Sequence, residues 1–191
     1  MRPKALLAAL CCLISAECFA TGLGELNLRI RSETEDYRIL FCARTSPDVG
    51  GLPGHAFVSF TKKENDSQLY LLSIGHSPNS ASLQAALGIE VGGMLVEENY
   101  SAISQECFTV LVNVEQFEKG LSRTKSVLTR LGLQQANKQP IVFMAWQLAV
   151  KDCVTFVQSV AKSIGLKTPP RSGLDNFPIR YIRKLAEKNQ I

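Results

Sequence analysis

The sequence predicts an α+β fold: an antiparallel sheet with helices gathered on one side. Three observations lead there. Period-two runs rich in β-branched and aromatic residues recur from Tyr37 to Val112, apolar residues fall at helical spacing after Asp152, and glycines stand where the helices should stop.

The opening "MRPKALLAALCCLISAECFA" has a short basic start at Arg2 and Lys4, then an apolar run from Ala5 to Ile14 too short to span a bilayer. Small side chains close it at Ala20. Residues 1–20 therefore read as a secretory signal, leaving 21–191 as one domain large enough for a proper core. No second apolar span follows, so a secreted or periplasmic protein without a stable membrane span is expected.

Strands are expected near Tyr37–Ala43, Ala56–Thr61, Leu69–Ile74 and Phe108–Val112, with a weaker one over Gly88–Val96 loosened by Gly92 and Gly93. Helices are expected over Ser80–Leu87 and Val114–Leu131, stopped by Gly88 and Gly132. "PIVFMAWQLAV" after Pro140 reads as a strand. Asp152 is a good N-cap for a helix over Cys153–Ile164, whose apolar residues at 153, 154, 157, 160, 161 and 164 form one stripe ending at Gly165. A closing helix over Asn176–Lys188 carries Ile179, Ile182 and Leu185 on one side and packs on the domain.

Charge excludes one class of partner. Removing Arg2, Lys4 and Glu17 leaves nineteen basic and sixteen acidic residues, a net charge of +3, and these are scattered. A nucleic-acid binder concentrates its basic residues in a stripe, so none is expected as a partner. Cysteines say more. Cys11, Cys12 and Cys18 leave with the signal, so Cys42, Cys107 and Cys153 remain, and an odd count in an oxidising compartment leaves one thiol over. Cys42 in "YRILFCAR" and Cys107 in "ECFTVLV" both lie in strand-like runs that a disulfide could join across the sheet, worth about 3–4 kcal/mol in the chain-entropy model. Cys153 is then the odd one out.

The chain has only two histidines, His55 and His76, at the open end of one expected hairpin. A two-residue turn at Asn65-Asp66 sets His55 directly opposite His76; an odd-length turn sets them diagonally. A thiol reacts as thiolate, and both the first turn of a helix and a neighbouring imidazole favour that form. The expected catalytic set is Cys153 as nucleophile, His55 as general base and acid, and His76 as the group orienting His55. The Cys153 N–H would be half of an oxyanion hole. Asp152 opposes this, because a carboxylate beside a thiol disfavours the thiolate unless its charge is spent on the cap. Other readings stand beside it: an inert core thiol in phase with its helix, structural histidines, or a zinc site lacking an evident fourth ligand. No G-x-S-x-G, H-E-x-x-H or phosphate-binding glycine loop occurs.

"GHAFVSF", the return to "IGH", and the helix-opening cysteine of "DCVTFVQSVAKSIGL" together resemble the circularly permuted papain-like superfamily, related to NlpC-type cell-wall peptidases and including the lecithin:retinol acyltransferase-like proteins. The resemblance covers about Gly54 to Gly165, with Asp152 where many relatives carry asparagine. It implies a permuted papain-like architecture and cofactor-free thiol acyl chemistry, with His55 as the strand histidine, His76 as the orienting residue and Cys153 as the nucleophile. The expectation is an exported cysteine amidase acting on peptidoglycan peptides. A lipid esterase or acyltransferase is the rival, with Trp146, Phe143 and Phe156 lining an acyl groove, and a non-catalytic binding module is the third reading. The partner is then a peptide or lipid acyl substrate; the sequence names no protein partner.

Overall fold

The computed structural model describes residues 21–29, 36–46, 51–64, 67–80, 82–98, 105–124, 144–172 and 177–190. The expected secretory segment, residues 1–20, and Phe143 lie outside these. The strands are β1 (Thr21–Asn27), β2 (Asp36–Ser46), β3 (Gly51–Glu64), β4 (Ser67–Pro78), β5 (Val91–Glu97), β6 (Gln105–Val112) and β7 (Ala145–Trp146). They form one seven-stranded sheet in the order β1-β6-β2-β3-β4-β5-β7. Every neighbouring pair is antiparallel except β1 with β6. The α+β class stands.

Among the described residues the helices are α1 (Leu83–Ala86), α2 (Val114–Leu121), α3 (Cys153–Ser163) and α4 (Pro178–Asn189). Alternation along the strands turns Ile39, Phe41 and Ala43 of β2 and Ala56, Val58 and Phe60 of β3 toward one core. That core is closed by Val154, Phe156, Val157, Val160 and Ala161 of α3 and by Tyr181, Ile182 and Leu185 of α4. Each large apolar side chain fully buried there contributes about 1.5–3 kcal/mol. α2 joins them closely: Phe117 packs edge-on against Phe60 with ring centroids 5.7 Å apart, and it is fixed by a capping box between Asn113 and Gln116. Gly88 and Gly165 end their helices with φ of 75° and 88°, the left-handed conformation that glycine adopts without strain.

Several expected boundaries move. Of the expected "PIVFMAWQLAV" strand, residues 140–143 lie outside the described set; Ala145–Trp146 form β7, and the residues after it turn through Ala149 at φ 64°. Of the expected Val114–Leu131 helix, residues 125–131 lie outside the described set; α2 ends at Leu121 and tightens into a 3-10 turn over Ser122–Thr124. β1 was not expected at all. It lies along β6, and the Gln190 Nε2 beyond α4 donates to Leu23 O at 2.6 Å.

Cys42 and Cys107 stand opposite each other on β2 and β6 and are joined by a disulfide. With Phe57 and Leu40 they form a small cluster apart from the main core. Cys153 is a free thiol. Among the described residues no helix is long and apolar enough to cross a membrane.

Candidate active site

Cys153 is the first residue of α3 because Asp152 ends the preceding turn in an extended conformation and caps the helix. Asp152 Oδ1 accepts the N–H of Val154 at 3.0 Å and of Thr155 at 3.2 Å, and the Thr155 hydroxyl accepts the Asp152 N–H in return at 3.2 Å. This leaves the Cys153 N–H, the first orphan donor of the helix, unspent on the cap. The thiol is 7 % exposed and belongs to the main core, as its place in the apolar stripe implies.

His55 sits on β3 immediately after Gly54, beside Arg44 of β2 in the sheet register. Its Nε2 lies 2.8 Å from Glu98 Oε1, and the Cys153 thiol is the ring's other polar neighbour. With Nε2 committed to Glu98, Nδ1 is the nitrogen left for the sulfur. Behind Glu98, Arg44 Nη2 lies 3.5 Å from Oε2. The result is a polar chain, Arg44–Glu98–His55–Cys153, drawn from β2, the end of β5, β3 and α3.

The electrostatics follow from that chain. Burial works against a charge on His55, but hydrogen bonds and opposite charge from Cys153 and Glu98 outweigh it and push the imidazolium up to about 9. Burial likewise pushes the Glu98 carboxyl up, yet the His55 hydrogen bond, the His55 charge and Arg44 hold it below its ordinary value. The arrangement favours a charged His55 imidazolium at neutral pH.

The two histidines do not stand opposite each other. Glu64 pairs with Ser67 as the short turn requires, but a bulge between Phe60 and Thr61 slips the ladder, so Phe57 faces Gly75 and not Ile74. His76 is displaced from His55 as a consequence. Its ring is buried, with Nδ1 donating to the Asp152 carbonyl oxygen at 3.2 Å. The ring contact expected of His76 is made by Glu98, while His76 braces the turn that delivers the thiol.

Trp146 is half-buried on β7 opposite Val91. Phe156 is fully buried in the core, so it lines no open groove. Among the described residues no cluster of His, Cys, Asp and Glu could hold a metal ion.

Gly75 is part of the site through what it lacks. A Cβ there would lie 2.3 Å from His55 Nε2 and 2.7 Å from Glu98 Oε1. Gly75→Ala is therefore expected to push the imidazole off Glu98 and to cut the labelling of Cys153 by a thiol alkylator at neutral pH about tenfold, since small misplacements of reacting groups carry large rate penalties. Thermal melting run in parallel checks that the fold survives; unchanged labelling would mean the ring tolerates displacement.

No family model, curated protein or solved structure matches this chain.

Proposed function

We propose that the protein is an exported cysteine hydrolase cleaving an amide bond, with Cys153 as nucleophile, His55 as general acid and base, and Glu98 orienting His55. The observation that carries this is the His55 ring held between the Cys153 thiol and the Glu98 carboxylate. A core thiol needs no such neighbour, and a structural histidine needs no carboxylate backed by an arginine.

The chemistry balances on these groups. The thiolate attacks the carbonyl carbon, forming a C–S bond, and the Cys153 N–H donates to the developing oxyanion. The His55 imidazolium gives its proton to the departing amine nitrogen as the C–N bond breaks. Water then attacks the thioester, His55 takes its proton, the C–O bond forms and the C–S bond breaks. The protonated His55 and the released thiolate are again the starting pair, and the carboxylic acid product gives its proton to solvent. Glu98 keeps Nε2–H engaged throughout, so Nδ1 faces the reaction.

The order of parts, histidine on a strand and cysteine opening a later helix, supports a permuted papain-like, NlpC-type architecture. The Cys42–Cys107 disulfide supports export, because such bonds persist in oxidising compartments. Peptidoglycan peptides are the substrate class that an exported thiol amidase of mild positive charge would meet. Incubation with soluble wall peptides should give a mass increment on Cys153 equal to the acyl half of the substrate, absent in Cys153→Ala. No adduct and no cleavage across wall peptides, together with turnover of a lipid ester, would move the assignment to the esterase class.

A further inference from the structure

We propose that Arg171 is a positioning residue for Cys153: by pairing with Asp152 it cancels the negative charge next to the nucleophile and locks the turn from which the sulfur projects. This deepens the hydrolase reading and rests on it.

The carboxylate of Asp152 is more heavily used than a cap requires. Besides the two helix N–H groups on Oδ1, its Oδ2 accepts the Ala149 N–H at 2.7 Å and the Arg171 Nη2 at 2.7 Å. The side chains of Arg171 and Asp152 are only 12 % and 4 % exposed, so this pair is largely removed from water. Arg171 Nη1 reaches further, donating to the Thr155 hydroxyl at 2.6 Å and approaching the Val150 carbonyl at 3.5 Å. One planar guanidinium thus holds the cap residue, its capping-box partner and the approach to the helix together. A lysine ammonium would meet the charge but not all three directions.

Two difficulties at this turn share that solution. Ala149 has φ 64°, a left-handed conformation that costs a non-glycine residue about 1 kcal/mol or more, and the Asp152 carboxylate holds its N–H. A buried carboxylate one residue from a thiolate would also repel it. Among the described residues, the charged and titratable groups around the sulfur are His55 with Glu98 and Arg44 behind it, His76 on the Asp152 carbonyl, and Asp152 itself. Among the described residues of this set, Asp152 stands as an anion beside the thiol without a histidine between them, and Arg171 answers it. The field of the α3 N-terminus is then left to act on the sulfur. The arginine comes from the segment after Pro169-Pro170, which Gln158 of α3 ties down by donating to Pro169 O at 3.2 Å.

The test compares iodoacetamide labelling of Cys153 at pH 6 and pH 9 in the full, oxidised protein. Arg171→Gln should lower the pH 6 to pH 9 rate ratio about tenfold, the equivalent of one unit in thiol acidity. Arg171→Lys should retain most of the wild-type ratio, and adding Asp152→Asn to Arg171→Gln should restore it, because the offending charge is gone. A folded Arg171→Gln with an unchanged ratio, or a double variant as impaired as the single, would overturn the proposal. Should Arg171→Gln fail to fold, Asp152→Asn alone decides: asparagine caps helices as well as aspartate, so the ratio should rise, and a ratio that stays or falls overturns the assignment. Wild-type protein that labels only in denaturant defeats the hydrolase reading and this one with it. Native labelling with an unmoved Arg171→Gln removes only the role of Arg171.

Discussion

Iodoacetamide will label Cys153 in the native, disulfide-intact protein at pH 6, and His55→Ala will slow that labelling about tenfold or more. An ordinary thiol, with a pKa of about 8.5, is less than about 1 % thiolate at pH 6. Pairing with an imidazolium raises that fraction by up to about two orders of magnitude, part of which is returned through the weaker nucleophilicity of a more acidic thiol. The net effect is smaller than the gain in thiolate but easily measured. Glu98→Gln keeps an acceptor for Nε2 but removes the charge, so the His55 imidazolium, which persists to about 9, should lose its proton about one unit lower in an NMR titration. The sign for stability follows. His55 binds its proton more tightly folded than at its ordinary 6.5, so its stabilising share is complete below about pH 6.5 and is lost as pH rises through about 9. Labelling confined to denatured protein, or indifferent to His55, would return Cys153 to the status of a core thiol.

The double variant Cys42→Ala/Cys107→Ala should lose about 4 kcal/mol of stability, the loop-closure contribution of a bond spanning a sequence separation of 65. For a chain of this size that is a fall in Tm of roughly 10 °C. The two residues face each other across β2 and β6, so alanine can replace both without altering the ladder. A fall of only a degree or two would mean that the sheet already restrains the unfolded chain, or that the bond adds no constraint of its own.

Much of this molecule is legible in its residues. Asp152, the apolar stripe behind it and Gly165 specify α3 almost to the residue, because capping and helical periodicity are local effects. The alternation of Tyr37–Ala43 and Ala56–Thr61 likewise gives both strands and the face they bury. Glu98 escaped because it lies 43 positions from His55 and follows a strand weakened by Gly92 and Gly93. Glu97 and Glu98 are adjacent, and only the sheet register says which of them reaches the imidazole. His76 attracted the role instead because the hairpin turn gives a correct register as far as Thr61, and nothing local announces the bulge beyond it. β1 was hidden by Gly22 and Gly24, and its pairing is parallel, which no hairpin rule anticipates. Arg171 belongs to the same class as Glu98, a charged residue whose meaning depends on what the fold brings beside it.

The contact between Gln190 and Leu23 brings β1 and the end of α4 within one side chain of each other. A short linker across that gap would close the backbone into a ring, and the ring could be reopened in the exposed stretch around Leu83 and Leu87. The reopened chain would present the cysteine helix ahead of the histidine strand while leaving every interaction of the site in place. The order in which nucleophile and base are synthesised is thus a matter of where the backbone is cut, and the geometry of the pair does not depend on it.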